Sequence, residues 1–129
     1  MKSSKSFPSI SATEWEIMQV LWHQETPLTA AEIFDELKAR DGSWHPKTAQ
    51  TLIGRLIQKG ALELAGKGRP YRYKPLVSRA ECVDRESHSF LERIFNGSLQ
   101  PMLAHFVEQK KLSQKEIRNL KEILEGGKK

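Results

Sequence analysis

Residues 46–75 read PKTAQTLIGRLIQKGALELAGKGRPYRYKP. Pro46 suits the first position of a helix, where its missing N–H is no loss. Ala49, Leu52, Ile53 and Leu56 then stand at i, i+3, i+4 and i+7, the apolar stripe of one helix face. With those four turned inward, Lys47, Thr51, Gly54 and Gln58 point outward, and Gln50 and Arg55 flank that outer face. Gly60 is the stop signal. ALELA (61–65) alternates like a half-buried strand, and GKGRP (66–70) is turn chemistry. YRYKP (71–75) alternates again, with Tyr71 and Tyr73 on one face as packing residues and Arg72 and Lys74 on the other. The stretch predicts a helix followed by a β-hairpin.

Charge singles out the same stretch. Lys47, Arg55, Lys59, Lys67, Arg69, Arg72 and Lys74 face Glu63 alone, a local net charge of +6 in a chain whose total is +5. The other 99 residues therefore carry −1. Such asymmetry points to a polyanion partner, most often nucleic acid.

Upstream, SATE (Ser11–Glu14) and TAAE (Thr29–Glu32) are capping boxes that open two helices. Trp15, Ile17, Met18, Leu21 and Trp22 give the first its apolar side, and Thr26-Pro27 breaks it. Ile33, Phe34 and Leu37 serve the second, which Asp41-Gly42 ends. Helix, helix, helix and hairpin is the order of a winged helix-turn-helix. In that frame the third helix enters a major groove, and the wing cations Lys67, Arg69 and Arg72 rest against phosphates. The three tryptophans read as core or interface fillers.

Downstream, SRAE (Ser78–Glu81) and SQKE (Ser113–Glu116) are two further capping boxes. They open a fourth helix, to about Phe95, and a sixth; a fifth runs from Leu99 to about Glu108. The fold expected is mainly α, an N-terminal winged helix plus a C-terminal three-helix domain. The predicted boundaries are a loose tail at 1–9, a DNA-binding domain at 10–76 and a dimerisation domain at 77–129. The last segment is too small for a comfortable core of its own. Its apolar stripes need a second surface, either another copy of the chain or the N-terminal domain. The dimer reading assigns that surface to Phe90, Leu91, Ile94 and Phe95, then Leu99, Leu103 and Phe106, then Ile117, Leu120 and Leu124.

Other chemistry finds little purchase. Cys82 is the one cysteine, His23, His45, His88 and His105 are scattered, and no HExxH or paired CxxC occurs. No metal, cofactor or enzyme activity is predicted. GKGRPY lacks the G-K-[ST] ending of a phosphate loop. With no apolar run of membrane length and no apolar leader, the chain reads as cytoplasmic and not membrane-inserted.

ISATEWEIMQVLW, KTAQTLIGRLIQKGAL, YRYKP, FLERIFNGS and LSQKEIRNLKEIL, in that order from Ile10 to Leu124, resemble the penicillinase-repressor family of bacterial regulators, the BlaI–MecI–CopY type. The resemblance implies a homodimeric repressor acting at a palindromic double-stranded DNA operator. It places the recognition helix on Lys47–Gln58, with Lys47, Thr48, Gln50, Thr51 and Arg55 facing DNA; several relatives carry a basic residue where Gln50 stands. It also implies derepression, in the antibiotic-responsive members, by cleavage of an Asn–Phe bond downstream of a membrane-bound sensor metalloprotease. The aligned pair here is His105–Phe106, so histidine replaces asparagine. Two other functions compete: a winged-helix module that binds an acidic protein partner, and a metal-sensing regulator using Cys82 and histidines.

Overall fold

Ser11 and Glu14 cap each other reciprocally. The Glu14 N–H donates to the Ser11 hydroxyl at 3.1 Å, and the Ser11 N–H donates to the Glu14 carboxylate at 2.9 Å. Helix α1 (Ala12–Gln24) starts there in the computed structural model, which describes residues 7–126. Thr29 and Glu32 repeat the arrangement for α2 (Ala30–Arg40). Pro46 occupies the first turn of α3 (Pro46–Lys59), and Gly60 closes it in the left-handed region at φ 85°. A side chain there would be strained, which is why glycine stops this helix.

The three helices surround one core. Ile17, Met18, Val20 and Leu21 of α1 meet Ile33 and Leu37 of α2 and Ala49, Leu52, Ile53 and Leu56 of α3. The four α3 residues are those expected from the spacing. In α1 the expected stripe shifts: Trp15 and Trp22 are only half-buried, while Val20 is fully enclosed. Bulk explains the difference, because the indoles stack edge to face at the core margin, centroids 5.3 Å apart. Phe7 also packs against this core, and the Ser9 carbonyl accepts from Lys59 Nζ at 2.8 Å. The last three residues of the expected loose tail are thus held; residues 1–6 lie outside the described residues.

The wing has a strand more than the expected hairpin. Strands β1 (Leu28–Thr29), β2 (Leu62–Leu64) and β3 (Arg72–Pro75) form an antiparallel sheet in the order β1-β3-β2. Leu28 pairs with Tyr73 and Thr29 with Arg72. Thr29 caps α2 with extended dihedrals, φ −77° and ψ 164°, and an extended backbone beside a strand can join its ladder. Two residues give no readable alternation, so periodicity could not reveal β1. The strands also leave the core as they run. Leu62 is buried but Leu64 is 46% exposed. Tyr73 packs on the core, while Tyr71, expected beside it, is exposed. Tyr71 precedes the first residue of β3 and belongs to the turn, so the alternation does not extend to it.

The chain divides into two units between Cys82 and Val83. Helix α4 (Arg79–Phe95) crosses that point, with the buried Cys82 in its first turn. The Ser78–Glu81 box opens α4 and the Ser113–Glu116 box opens α6 (Gln114–Gly126). Between them lies α5 (Leu99–Glu108). From Val83 to Gly126 no described residue is buried. Among the described residues no helix is long and apolar enough to cross a membrane.

Candidate nucleic-acid interface

Helix α3 is held from both ends. Before it, Trp44 is 8% exposed and its indole N–H donates to the Glu16 carboxylate of α1 at 3.3 Å. The Asp41 carboxylate accepts from the Ser43 N–H and hydroxyl at 3.0 and 2.8 Å, which fixes the α2–α3 turn. Those two donors hold the Asp41 carboxyl below its ordinary range. At the far end, Lys59 donates to Glu14, only 1% exposed, and ties α3 to the start of α1. Burial pushes the Glu14 carboxyl up, but Lys59 and the Ser11 groups outweigh it and leave it lowered.

With its ends and inner face fixed, α3 presents a constant outer face. Lys47, Thr48, Gln50, Thr51, Gly54, Arg55 and Gln58 are all exposed. Lys47, Thr48, Thr51 and Arg55 line one open groove of about 810 Å³. Gln50 and Gly54 line a smaller recess of about 220 Å³ on the other flank, shared with Ala30 and Tyr73. Thr48 joins the first group although the spacing of the apolar residues did not assign it. A Cβ on Gly54 would meet nothing within 4 Å, so glycine there leaves the helix surface low.

His45 is a groove residue that the sequence did not single out. It precedes α3, lines the larger groove and makes no side-chain capping bond. In the sequence it counted only as one of four scattered histidines; its place directly before Pro46, at the start of a basic helix, was the available signal.

The wing carries its cations unevenly. Ala65 N–H donates to the Arg72 carbonyl at 2.8 Å and closes the hairpin around residues 66–71. Gly66 and Gly68 there take φ of 85° and 86°, conformations that explain the glycine-rich turn. Lys67 and Arg69 are exposed at the tip, with the Arg69 guanidinium 5.4 Å from the Tyr71 ring centre. Arg72 instead pairs with Glu32 at 3.5 Å, and Lys74 with Glu63 at 3.5 Å. With Lys59 on Glu14, three of the seven cations in residues 46–75 are engaged by carboxylates. Among the described residues no ion pair holds Lys47, Arg55, Lys67 or Arg69.

The residues assigned to a dimer face lie in the second unit. On α4, Phe90 and Ile94 are exposed and Leu91 and Phe95 half-buried. On α5, Leu99 is exposed and Leu103 and Phe106 half-buried; on α6, Ile117 and Leu120 are half-buried and Leu124 is 70% exposed. His105 and Phe106 sit inside α5, where their carbonyls accept from Gln109 and Lys111 at 3.0 and 2.9 Å. Among the described residues no three His, Cys, Asp or Glu side chains assemble as a metal site, and Cys82 is enclosed in the first unit's core.

Comparison with known proteins agrees with this architecture. The chain is 40% identical to a penicillinase repressor of Bacillus licheniformis over 121 residues, 94% of this chain and 93% of that one. It is 33% identical to the methicillin resistance regulatory protein MecI of Staphylococcus aureus over 115 residues, 89% and 92% of the two chains. A solution structure of the DNA-binding domain of the repressor BlaI superposes with TM-score 0.51 at 37% identity, covering 58% of this chain and 89% of that domain. The sequence pattern of the penicillinase repressor family matches residues 10–126. With that match over most of its length, the chain belongs to the penicillinase repressor family.

Proposed function

We propose that the protein is a homodimeric transcriptional repressor that binds a palindromic DNA operator in the cytoplasm. The carrying observation is the exposed outer face of α3, polar and cationic apart from Gly54, beside a wing whose tip cations are unpaired with carboxylates. A major groove admits an α-helix. Lys47, Thr48, Gln50, Thr51 and Arg55 face base edges and flanking phosphates, while Lys67, Arg69 and Arg72 supply phosphate contacts. The relatives' names as repressors, and the DNA-binding domain of BlaI among the similar structures, support this reading.

Dimerisation rests on the second unit. Phe90, Ile94, Leu99 and Leu124 stay in water in a single chain, and fully burying one such side chain stabilises by about 1.5–3 kcal/mol. A two-fold dimer presents two α3 helices to two half-sites, so each half-site contact raises the local concentration of the other. Release from DNA would follow cleavage between His105 and Phe106 by a membrane-bound sensor metalloprotease, because the cut detaches the end of α5 and all of α6 from the clasp.

Selection of bound duplexes from a random pool tests the proposal. We expect a palindromic consensus, altered at specific positions by Gln50→Ala or Thr51→Val. Equal affinity for every duplex would overturn the assignment of α3. The wing alone can serve an acidic protein partner, but only groove reading produces a consensus.

A further inference from the structure

Glu32 does two things with one oxygen. Its Oε1 accepts the Thr29 N–H at 2.9 Å in the α2 capping box, and lies 3.5 Å from Arg72 Nη1 on the wing. The two sites are 40 residues apart in the chain, yet three connections join them. Thr29 pairs with Arg72 in the β1–β3 ladder, Thr29 and Glu32 cap one another, and Glu32 meets the Arg72 guanidinium.

From this arrangement we infer that Glu32 is an affinity-setting residue: it competes with duplex phosphates for Arg72 and keeps that cation partly withheld from DNA. The inference rests on the DNA-binding reading above. An exposed ion pair usually loses much of its Coulomb energy to the ordering of two long side chains. Here the carboxylate is already ordered by its cap, and Arg72 is anchored by strand pairing on its backbone, so less ordering remains to be opposed. A carboxylate in that place does to the guanidinium what a phosphate oxygen would do. It offers a charge-assisted acceptor and cancels the field that attracts a polyanion. Both side chains are about half exposed, 48% for Arg72 and 50% for Glu32, so water and salt reach the pair and a phosphate can displace it. The effect is independent of base sequence, because phosphates carry none. Lys67 and Arg69 at the wing tip have no such competitor among the described residues.

The test is a double-mutant cycle on the full chain, read as affinity for a selected operator and for a scrambled duplex across a salt series. Glu32→Gln is the informative variant. Glutamine at the third position of a capping box still accepts from the cap, so α2 keeps its start while the charge is removed; a matching melting temperature checks this. We expect Glu32→Gln to tighten binding to both duplexes by about two- to fivefold at low salt, with the gain shrinking as salt rises. In an Arg72→Ala background the same change should give less than half of that gain, because the side chain it frees is absent. Equal gains in both backgrounds would reduce Glu32 to one more negative charge and overturn the inference. Unchanged or weaker binding by Glu32→Gln, with wild-type binding intact, would also overturn it and leave the DNA reading standing. A wild-type chain that binds no duplex overturns both.

Discussion

Glu14 shows how much rests on one side chain. It helps cap α1, lies at 1% exposure, and anchors the end of α3 through Lys59. Its folded carboxyl is lowered from the ordinary value of 4.5. A lowered carboxyl contributes stability that is fully present above its unfolded range and disappears as pH falls through the folded value. Urea denaturation followed from pH 7 downward should therefore show wild-type stability falling below the ordinary carboxylate range, with a flatter fall in Glu14→Gln. Lys59→Met leaves a buried carboxylate without its cation, and should cost about 1–3 kcal/mol at pH 7. That is less than for a fully enclosed pair, since Lys59 is one-third exposed. An unchanged midpoint in Lys59→Met would mean that the pair does not clamp α3. The clamp on Lys59 was not visible in the sequence. Glu14 was readable as a cap from SATE, but its second partner stands 45 residues away, and local spacing carries no information at that range.

The helices were the most readable elements, because their signals are local. All four capping boxes seen in the sequence form as reciprocal hydrogen bonds, and the inner face of α3 is the one its spacing gives. The strands were less readable: β1 is too short for a pattern, and the exposure of Leu64 and Tyr71 depends on where the sheet leaves the core. The wing's charge count also overstated its free cations, since pairing to Glu32 and Glu63 is a tertiary fact. Lys67→Ala/Arg69→Ala should accordingly weaken binding to every duplex and lower the salt slope by about 2, one for each phosphate left without its cation. A slope equal to wild type would place the wing tip away from DNA. For α5, the His105–Phe106 bond is helical, with both carbonyls hydrogen-bonded, so a protease must first unwind it. Ala104→Gly weakens that exposed turn by about 1 kcal/mol and should raise the cutting rate at this bond about fivefold when opening precedes cleavage. Mass spectrometry of a timed digest reads this directly. Equal rates would mean that unwinding does not limit access.

Across the molecule, the two units bury their apolar residues differently. The first encloses a core between three helices and a sheet; the second leaves Phe90, Ile94, Leu99, Val107, Ile123 and Leu124 in solvent. Leu120→Asp should split the proposed dimer, seen as a halved mass in sedimentation. Affinity for the full palindrome should then fall to that of a single half-site, with little change in the first unit's melting. A variant that sediments as a dimer would move the clasp away from α6. The two units also differ optically. Trp15, Trp22 and Trp44, with Tyr71 and Tyr73, are all the tryptophans and tyrosines of the chain, and none lies beyond Cys82. Indole emission, with Trp15 and Trp22 only 5.3 Å apart, thus arises from the first unit, and the second carries no indole of its own. Circular dichroism records the helices of both units, α6 included. The gap between those two melting curves is a direct gauge of how independently the halves come apart.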